Sequence, residues 1–389
     1  MALRYIDSLE LAGTRTFIRA DFNVPLKNGA ITDATRIDAA LPTIQWAVAH
    51  GGRVILASHL GRPKGKVDPA YSLKPVAEAL AERLHLKVIL APDCVGPEVE
   101  RMSRSLDRRE ILLLENLRFH PEEEKNDPAF AKQLAALADV YVDDAFGAAH
   151  RAHASTEGMA HVVPVKAAGL LMRKEVEALS KITESPDRPL VAILGGAKVS
   201  DKIKVIEHLL DKVDTLLIGG AMAYTFLLAA GRKIGDSLIE LDRLDVAKEI
   251  LVRGKRKLRL PMDHLITADL SGAAGAQEVG IDIPDGQKGV DIGPKTVAAY
   301  REAVAGARTI FWNGPMGIFE VEPFSRGTMA MANALADSSA MTVVGGGDSI
   351  AALNRSGRSD DITHISTGGG ASLEFLEGRP LPGLAVLAQ

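Results

Sequence analysis

The sequence predicts an α/β protein with two doubly wound, parallel-sheet domains of Rossmann-like type, joined by a hinge helix. Short apolar runs alternate with helix-sized segments along the whole chain, a pattern typical of parallel sheets covered on both faces. The length of 389 residues favours two domains at roughly 100–200 residues each. Glycine clusters at 195–196, 345–347 and 368–370 each follow an apolar run, and all lie in the second half, so the two halves carry different chemistry.

The predicted strands are short runs of β-branched residues or leucine. Those of the first half lie at residues 16–20, 53–57, 88–90, 110–114 and 140–142. Those of the second half lie at 190–194, 215–218, 264–267, 309–312, 341–344 and 363–366. Helix-sized segments between them include residues 34–48, 74–84, 130–138, 201–210 and 295–303. Because this alternation occurs in two sets, we expect one parallel sheet in each half.

The boundary between the domains is predicted at an amphipathic segment, residues 170–182, which is followed by the sequence TESPDRP. Its two prolines, Pro186 and Pro189, stand within four residues and stop a helix, so a linker follows. A helix that joins two domains is suited to act as a hinge. We therefore predict a first domain at 1–169, a hinge helix and linker at 170–189, and a second domain at 190–371.

Composition indicates an ordinary globular protein, with 47% hydrophobic and 25% charged residues. The net charge of -4 argues against nucleic-acid partners, which require a basic excess. Cys94 is the only cysteine, so neither an internal disulfide nor a cysteine-based metal site is expected. The uncharged stretch 215–231 is interrupted by glycines and falls short of the ~20 residues of a spanning helix. Since the N-terminus is also unlike a signal peptide, we expect a cytoplasmic protein without membrane partners.

Four arginines follow predicted strands of the first half, namely Arg36, Arg62, Arg118 and Arg151. Ligands of open parallel sheets bind beyond the C-terminal ends of the strands, and arginine can bind phosphate or carboxylate through two hydrogen bonds. Any single arginine is better explained as a surface charge, but the set favours a pocket for a compact anion with more than one acidic group. The histidines at 150, 153 and 161 lack the spacing of a metal site and are predicted to cap or pack.

Two lysines stand beside the first glycine cluster of the second half. Lys198 and Lys202 are four residues apart, so we expect them on one face of the helix that opens after Gly196. A glycine turn that opens a helix leaves free N–H groups for phosphate, which the two ammonium groups can neutralise. A solvated lysine pair is the alternative, and the preceding glycine turn favours phosphate.

Asp348 lies in the first turn after the second glycine cluster, and it is either a helix N-cap or a ligand of Mg²⁺. Residues 311–320 offer apolar walls for a purine and a carboxylate, Glu320, for ribose hydroxyls. Taken alone, this run is equally a turn with core aromatics. The chain has neither a Walker A pattern nor a GxGxxG fingerprint in the required context, which disfavours a P-loop NTPase and a dehydrogenase.

Eight sequence blocks together resemble the phosphoglycerate kinase family. They are RADFNVP (19–25), SHLGRP (58–63), ENLRF (115–119), AFG (145–147) with HRAH (150–153), GGAKVSDK (195–202), WNGP (312–315), GGGD (345–348) and TGGGAS (367–372). They occur in that family's order and span nearly the whole chain. The resemblance implies a Mg²⁺-dependent, reversible phosphoryl transfer between 1,3-bisphosphoglycerate and ADP in a monomeric, hinge-bending enzyme.

The resemblance also implies roles for individual residues and domains. The N-terminal domain would bind 3-phosphoglycerate, the C-terminal domain would bind Mg-ADP or Mg-ATP, and residues 372–389 would return to the N-terminal domain. The substrate residues would be Asp21, Phe22, Asn23, Arg36, His59, Leu60, Gly61, Arg62, Arg118 and Arg151. The nucleotide residues would be Gly195, Lys198, Lys202, Gly293, Asn313, Glu320, Gly346, Gly347, Asp348 and Ser349, with Asp348 holding the metal. The catalytic residues would be Arg36, Lys198, Gly346 and Gly369.

Two departures from the family pattern concern the loop before Arg151. Asp143 and Ala148 stand where the family commonly has Asn and Thr, and we expect the extra carboxylate to weaken anion binding slightly. Two other functions remain open at the level of sequence. A nicotinamide-dependent dehydrogenase shares the fold class but lacks the fingerprint, and a non-catalytic protein could bind both ligands without turnover.

Overall fold

A six-stranded parallel sheet forms the centre of the first unit of the chain. The computed structural model describes residues 3–388, which form one unit of residues 3–176 and 380–388 and a second unit of residues 177–379. The strands of the first unit are β1 (Arg15–Arg19), β2 (Leu26–Lys27), β3 (Ala30–Ile31), β4 (Arg53–Ala57), β5 (Lys87–Leu90), β6 (Glu110–Leu113), β7 (Val140–Asp143) and β8 (Val165–Ala168). Its helices are α1 (Thr35–Ala49), α2 (Lys74–Leu84), α3 (Pro97–Ser105), α4 (Pro121–Glu124) and α5 (Pro128–Ala135), and α6 (Leu170–Thr183) runs from this unit into the second.

The order of the parallel strands in this sheet is β5-β6-β4-β1-β7-β8, and β2 and β3 form a small antiparallel hairpin. The strands of the sheet centre are almost entirely buried, as expected for a parallel sheet with helices on its faces. The apolar side chains of β1, β4, α1 and α2 form one core cluster. The carboxyl ends of these strands meet at one edge of the sheet. The arginines of the predicted anion pocket follow these strand ends in the sequence.

The second unit contains a larger set of strands. They are β9 (Leu190–Leu194), β10 (Thr215–Ile218), β11 (Leu258–Arg259), β12 (His264–Thr267), β13 (Gln277–Val279), β14 (Lys288–Ile292), β15 (Thr309–Asn313), β16 (Met341–Gly345) and β17 (His364–Ile365). The helices are α7 (Ile203–Leu210), α8 (Met222–Ala229), α9 (Leu244–Gly254), α10 (Pro294–Ala305), α11 (Arg326–Ala336), α12 (Gly347–Ser356) and α13 (Gly370–Leu376); α14 (Pro382–Ala385) follows in the first unit.

The parallel sheet of the second unit has the order β11-β10-β9-β15-β16-β17. Counted along the chain, this is the order 3-2-1-4-5-6 of a doubly wound Rossmann sheet, so the fold class is confirmed. The order reverses between β9 and β15, and ligands of such sheets bind in the crevice at that switch point. The glycine clusters at 195–196 and 345–347 lie at the ends of β9 and β16, beside this crevice.

One predicted strand belongs to a different sheet. β12 has the predicted bounds, but it pairs antiparallel with β13 and β14 in a separate three-stranded sheet. A short apolar run does not reveal its partners, because strand pairing depends on residues far away in the sequence. The structure also adds β8, which was not predicted and lies at the end of the predicted first domain, just before residue 170.

The returning C-terminal segment is shorter than predicted. Residues 380–388 belong to the first unit, where Gly383 N donates to Ala149 O at 2.9 Å and Leu3 bridges Ala388. Residues 372–379, which were also predicted to return, remain in the second unit because α13 packs against α7. Within residues 3–388, no helix has the length and apolar character needed to cross a bilayer.

Asp143 faces this returning segment. The residue ends β7 and is fully buried, and its Oδ1 accepts a hydrogen bond from Ala145 N at 2.9 Å. Its Oδ2 lies 3.2 Å from the position that a Cβ on Gly383 would take. Burial raises the pKa of Asp143 to about 7, against the hydrogen bond from Ala145 and the charge of Arg19. The carboxylate expected to disturb the anion pocket is therefore a buried group beside α14.

We predict that Asp143→Asn stabilises the protein mainly at high pH. The folded state of the wild type keeps a proton that the unfolded chain releases, so its stability falls as pH rises from about 4 to about 7. Removing the acid should raise the free energy of unfolding by about 4 kcal/mol at pH 8 and by only about 1 kcal/mol near pH 4.5. Urea unfolding at both pH values measures this, with the exposed Asp285→Asn as control. An equal gain at both pH values would contradict the proposed cause.

Candidate functional site

The first unit carries a buried ion pair beyond the end of β1. Asp21 is buried, and Arg36, the second residue of α1, donates from Nη1 to its Oδ2 at 2.6 Å. Burial raises the pKa of Asp21, but the nearby positive charges, Arg36 first among them, outweigh burial and hold that pKa below its usual value. The Arg36 side chain is still 35% exposed, so the pair orients the guanidinium and leaves part of it for a ligand.

A second arginine, Arg19, lies in the interior on β1 and is only 1% exposed. Its Nε donates to Ser155 Oγ at 2.8 Å, and its Nη2 lies 3.1 Å from Nδ1 of His59. Because a guanidinium only donates, Nδ1 is the acceptor and the ring proton of His59 lies on Nε2. Burial, reinforced by the surrounding arginines and opposed by the charge of Asp21, lowers the pKa of His59 well below its usual range. His59 is therefore a neutral, oriented hydrogen-bond donor at pH 7.

Asn116 organises the loops that follow β4 and β6. Its Nδ2 donates to Leu60 O at 2.8 Å and to Tyr71 O at 2.9 Å, and its Oδ1 accepts from Leu60 N at 3.2 Å and Arg118 N at 3.1 Å. All four hydrogen-bonding positions of the amide are thus used. Arg118 Nη1 in turn donates to Gly61 O at 3.0 Å. One buried amide therefore fixes the backbone on which the predicted substrate residues stand.

The loop after β4 turns sharply at Gly61. This residue has φ +60°, and a Cβ there would lie 2.3 Å from the Tyr71 ring, so a larger residue does not fit. Asn23 Oδ1 accepts from Gly61 N at 2.8 Å, while Asn23 N donates to Asp21 Oδ1 at 3.1 Å. These bonds join the ends of β1 and β4 and bring three of the predicted substrate residues together.

The predicted arginines differ in exposure. Arg62 and Arg151 are exposed, whereas Arg118 is buried. Burial lowers the pKa of Arg118, and the charges of Arg19 and Arg151 lower it further against an opposing effect of Glu124. The charges of Arg19 and Arg151 therefore lie close enough to disfavour the charge on Arg118, and an anion bound among them would relieve that repulsion.

Sequence reasoning missed the two polar residues that organise this site. Arg19 is a charged residue inside an apolar strand, which was an available signal because buried charges are rarely without a partner. Asn116 appeared only as part of a motif, and its role depends on contacts with distant loops. Two predicted substrate residues, Phe22 and Leu60, are buried, and their backbone N–H groups already donate to Ser58 Oγ and Asn116 Oδ1.

In the second unit, two glycines let the ends of β9 and β15 approach each other at the switch point. Gly195 N donates to Asn313 O at 3.0 Å, and a Cβ on Gly195 would lie 2.0 Å from Pro315 O. A Cβ on Gly314, which has φ +98°, would lie 2.2 Å from Gly195 O. Both positions therefore require glycine, and the loops beyond them leave the sheet along a common path.

The lysine pair does not lie on a helix, contrary to the prediction. α7 begins at Ile203, so Lys198 and Lys202 belong to the irregular loop before it. Lys202 occupies the N-cap position, and its ammonium contacts Asn313 Oδ1. Burial lowers the pKa of Lys202, against the nearby acidic groups. Lys198 is exposed, and among residues 3–388 no side chain forms a hydrogen bond or ion pair with it.

Two helices begin at the glycine clusters that follow β16 and β17. Gly346, with φ +90°, is the N-cap of α12, and Gly369, with φ +54°, is the N-cap of α13. Asp348 is an exposed residue in the first turn of α12, so it is not the N-cap, and it accepts no hydrogen bond from the described chain. Ser349 Oγ accepts from Gly314 N at 2.5 Å and ties α12 to the end of β15.

These elements line two adjoining cavities. We call the first the glycine cavity; it has a volume of about 440 Å³. The site residues predicted from the sequence that line this cavity are Gly195, Lys198, Lys202, Asn313, Gly346, Gly347, Asp348, Ser349 and Gly369. The second, the apolar cavity, has a volume of about 520 Å³ and shares Gly196, Ala197, Pro315 and Asp348 with the first. Asn313 Nδ2 is buried without a partner among residues 3–388 and lies next to Gly346, so it leaves an unused donor at the glycine turn.

Large apolar side chains line the apolar cavity. Leu238, Leu270 and Ile318 are 57%, 44% and 36% exposed, which is typical of a binding surface when such side chains cluster. Ile318 belongs to the predicted run 311–320, whereas Leu238 and Leu270 come from loops with no distinctive pattern and were not predicted. Lys288 and Gly289 of β14 also line this cavity.

The other residues that were predicted to contact the nucleotide do not all line a cavity. Glu320 lines the apolar cavity and is exposed. Phe311 and Trp312 are core residues, so the walls predicted from residues 311–320 come from its later part. Gly293 is the buried N-cap of α10 and lines neither cavity.

One group of three metal-ligand side chains, Asp93, Cys94 and His120, lies together among residues 3–388. His120 Nε2 lies 2.6 Å from Asp93 Oδ1, and burial raises the pKa of the Cys94 thiol well above its usual value. A paired histidine and a buried, protonated thiol make a structural arrangement. His153 is the N-cap residue of the turn at 154–158, as predicted. His161 is exposed and pairs with Glu157, so it neither caps nor packs.

Comparison with known proteins gives a consistent result. The family model for phosphoglycerate kinase matches residues 6–379. The chain is 59% identical to the phosphoglycerate kinase of Anaeromyxobacter dehalogenans strain 2CP-C, over 99% of each chain. It is 60% identical to that of Solibacter usitatus, over the whole of both chains.

Solved structures show the same similarity. The phosphoglycerate kinase of Coxiella burnetii has a TM-score of 0.92 at 44% identity, with both chains fully covered. That of Pyrococcus horikoshii OT3 has a TM-score of 0.84 at 36% identity, covering 99% of this chain and 98% of the other.

Proposed function

The chain belongs to the phosphoglycerate kinase family, and from that premise we propose how its residues divide the reaction. The activity is a reversible phosphoryl transfer between 1,3-bisphosphoglycerate and ADP, which gives 3-phosphoglycerate and ATP in glycolysis. We propose that the first unit binds the phosphoglycerate and that the second binds the magnesium nucleotide. The pair of adjoining cavities beyond the β9/β15 switch point carries this proposal, because one is apolar and the other is lined by glycine turns and lysines.

The nucleotide proposal follows from this division of chemistry. The base would occupy the apolar cavity, with Leu238, Leu270 and Ile318 on its faces. The phosphates would occupy the glycine cavity, where the N-termini of α12 and α13 present free N–H groups. Lys202 and the unused Nδ2 of Asn313 would donate to phosphate oxygens. Glu320 would face the ribose hydroxyls from the apolar side.

The position of Asp348 fits a magnesium ligand. Its carboxylate is exposed, lines both cavities and accepts no hydrogen bond from the described chain, so its oxygens are available to a hard cation. Mg²⁺ commonly takes one or two protein carboxylates together with phosphate oxygens and water. When bound, the ion would neutralise charge on the nucleotide phosphates, and Asp348 would hold it at the border of the two cavities.

The arginine site suits a compact anion with a carboxylate and a phosphate. Arg36 is oriented by Asp21 and remains partly exposed, and Arg62 and Arg151 are exposed. Arg19 and Arg118 add positive charge from the interior, while His59 offers a neutral N–H. We propose that these groups bind 3-phosphoglycerate, with Arg36 directed at the transferring phosphoryl group.

The chemistry requires no general base. In the direction of acyl-phosphate formation, a carboxylate oxygen attacks the terminal phosphorus of ATP, and the bond to the leaving oxygen of ADP breaks. A carboxylic acid with a typical pKa near ~4 is already ionised at pH 7, so no proton has to be removed. Arg36, Lys198 and the glycine N–H groups would stabilise the charge that spreads over the phosphoryl oxygens. The closed site would also exclude water, which would otherwise hydrolyse the acyl phosphate.

Further properties belong to the same proposal. We infer hinge bending at residues 170–189 from the reaction, because the two ligands must be in line for direct transfer. The cytoplasmic location and the monomeric state also stay predictions, as does the absence of nucleic-acid partners.

The test of this function is Mg²⁺-dependent ADP formation from ATP, with and without 3-phosphoglycerate. A coupled dehydrogenase that consumes the acyl phosphate keeps the reaction running. We expect turnover with 3-phosphoglycerate and none with glycerate, which lacks the phosphate that the arginines recognise. Binding of both ligands without turnover would instead favour a non-catalytic binding protein.

We predict that Arg36→Ala and Lys198→Ala each reduce kcat by about 10²-fold or more, because each removes positive charge from the transition state. The KM for nucleotide should change far less. Steady-state kinetics measure both constants, and Lys204→Ala, an exposed lysine on α7, serves as the matched control. A change confined to KM would remove the residue concerned from the transition-state role.

Asp348→Ala should raise the Mg²⁺ concentration required for half-maximal activity by about tenfold or more, because a carboxylate ligand is lost. Titration of Mg²⁺ at saturating nucleotide measures this, and Asp360→Ala, an exposed acid after α12, controls for the change in charge. An unchanged magnesium titration would show that Asp348 is no ligand.

A further inference from the structure

The loop between β9 and α7 has to hold two lysines in position without regular secondary structure. Residues 195–202 carry Lys198 and Lys202, yet they form neither helix nor strand. Lys202 has a contact of its own, since its ammonium reaches Asn313 Oδ1. Lys198 has no hydrogen bond or ion pair to any residue in the described part of the chain. The position of Lys198 therefore depends on what holds the backbone of the loop.

Glu240 holds this loop at its middle. Ser200 N donates to Glu240 Oε2 at 3.0 Å, and Ser200 Oγ donates to Glu240 Oε1 at 2.5 Å. Both carboxylate oxygens thus bind one residue, which stands two positions from each lysine. Hydrogen bonds to a charged group are roughly twice as strong as neutral ones. Burial raises the pKa of Glu240, but the hydrogen bonds from Ser200 outweigh it and keep the group ionised at pH 7.

The segment that carries Glu240 is itself fixed. We call residues 236–240 the strap. Glu240 N donates to the hydroxyl of Thr225, a buried residue of α8, at 3.2 Å. At the other end, Ser237 Oγ accepts from Gly289 N of β14 at 2.9 Å. Asp236 and Leu238 of the strap line the apolar cavity. The strap is therefore bonded to two elements of the unit and can serve as a fixed point for the loop.

We propose that Glu240 is a positioning residue for phosphoryl transfer: through Ser200 it fixes the loop that carries Lys198. This inference rests on the proposed function, in which Lys198 acts on the transferring group. Lys202 depends less on the clamp because Asn313 holds it separately. Loss of the clamp should therefore impair the chemical step more than nucleotide binding. A purely structural role for Glu240 would instead lower stability and weaken nucleotide binding together.

The test compares Glu240→Ala, Ser200→Ala and the double variant in the full chain. We expect each to lower kcat by about tenfold, since a displacement of about 1 Å can reduce the rate by up to ~10²-fold. The double variant should lose no more than either single one, because both remove the same contact. The KM for Mg-ATP should stay within about twofold and Tm should be unchanged. Glu240→Gln, which keeps one acceptor oxygen, should recover part of the rate.

Glu249→Ala is the matched control, because it removes an exposed glutamate of α9 in the same unit. Several outcomes would overturn the inference: a Glu240→Ala rate within about twofold of wild type, losses that multiply in the double variant, or a fall in Tm with a parallel rise in KM. The wild type is assayed alongside. Wild type without 3-phosphoglycerate-dependent turnover would overturn the proposed function first, whereas an active wild type with unaffected variants would overturn only the role of Glu240.

Discussion

The close backbone contact between Gly195 and Gly314 sets the geometry of the second unit's site. Just beyond the ends of β9 and β15, the two segments approach so closely that a Cβ on either glycine would overlap a backbone oxygen of the other segment. Their paths beyond the sheet are therefore tied together, and Gly314 N is in turn bonded to Ser349 at the start of α12. The loop with Lys198, the turn with Asn313 and the helix with Asp348 thus share one fixed origin. The two cavities adjoin because these three segments leave the sheet side by side.

In the first unit, buried polar side chains fix the loops of the site, in place of close contacts between glycines. Arg19 is buried beneath the site, and Asn116 uses all four of its hydrogen bonds to hold two loops. Buried polar networks of this kind stabilise a single arrangement only when every member is satisfied. The guanidinium of Arg19 donates to Ser155 Oγ and to His59 Nδ1. The hydroxyl of Ser155 donates in turn to the buried carboxylate of Glu123 at 2.5 Å. The exposed arginines are therefore presented by loops whose backbone is already fixed.

The sequence predicted the elements better than their connections. β4, β9, β10 and β12 have the predicted bounds because each is an apolar run enclosed by turn or polar residues. β8 was missed because its lysine interrupts a short apolar run, and the sheet to which β12 belongs depends on strands further along the chain. In the site, residue types at strand ends identified most of the groups. The contact of Lys202 with Asn313 joins residues 111 apart, and that of Ser200 with Glu240 joins residues 40 apart, so no local pattern could reveal them.

The protonation states of the site agree with a reaction that moves no proton. The pKa of His59 lies well below its usual range, so this imidazole is neutral and oriented by Arg19. The pKa of Asp21 is held below its usual value, so this carboxylate is ionised beside Arg36. Neither group is poised to gain or lose a proton near pH 7, as a general acid or base would be. What the first unit provides is fixed positive charge and oriented N–H groups, and a carboxylate nucleophile that is already ionised requires nothing more from it.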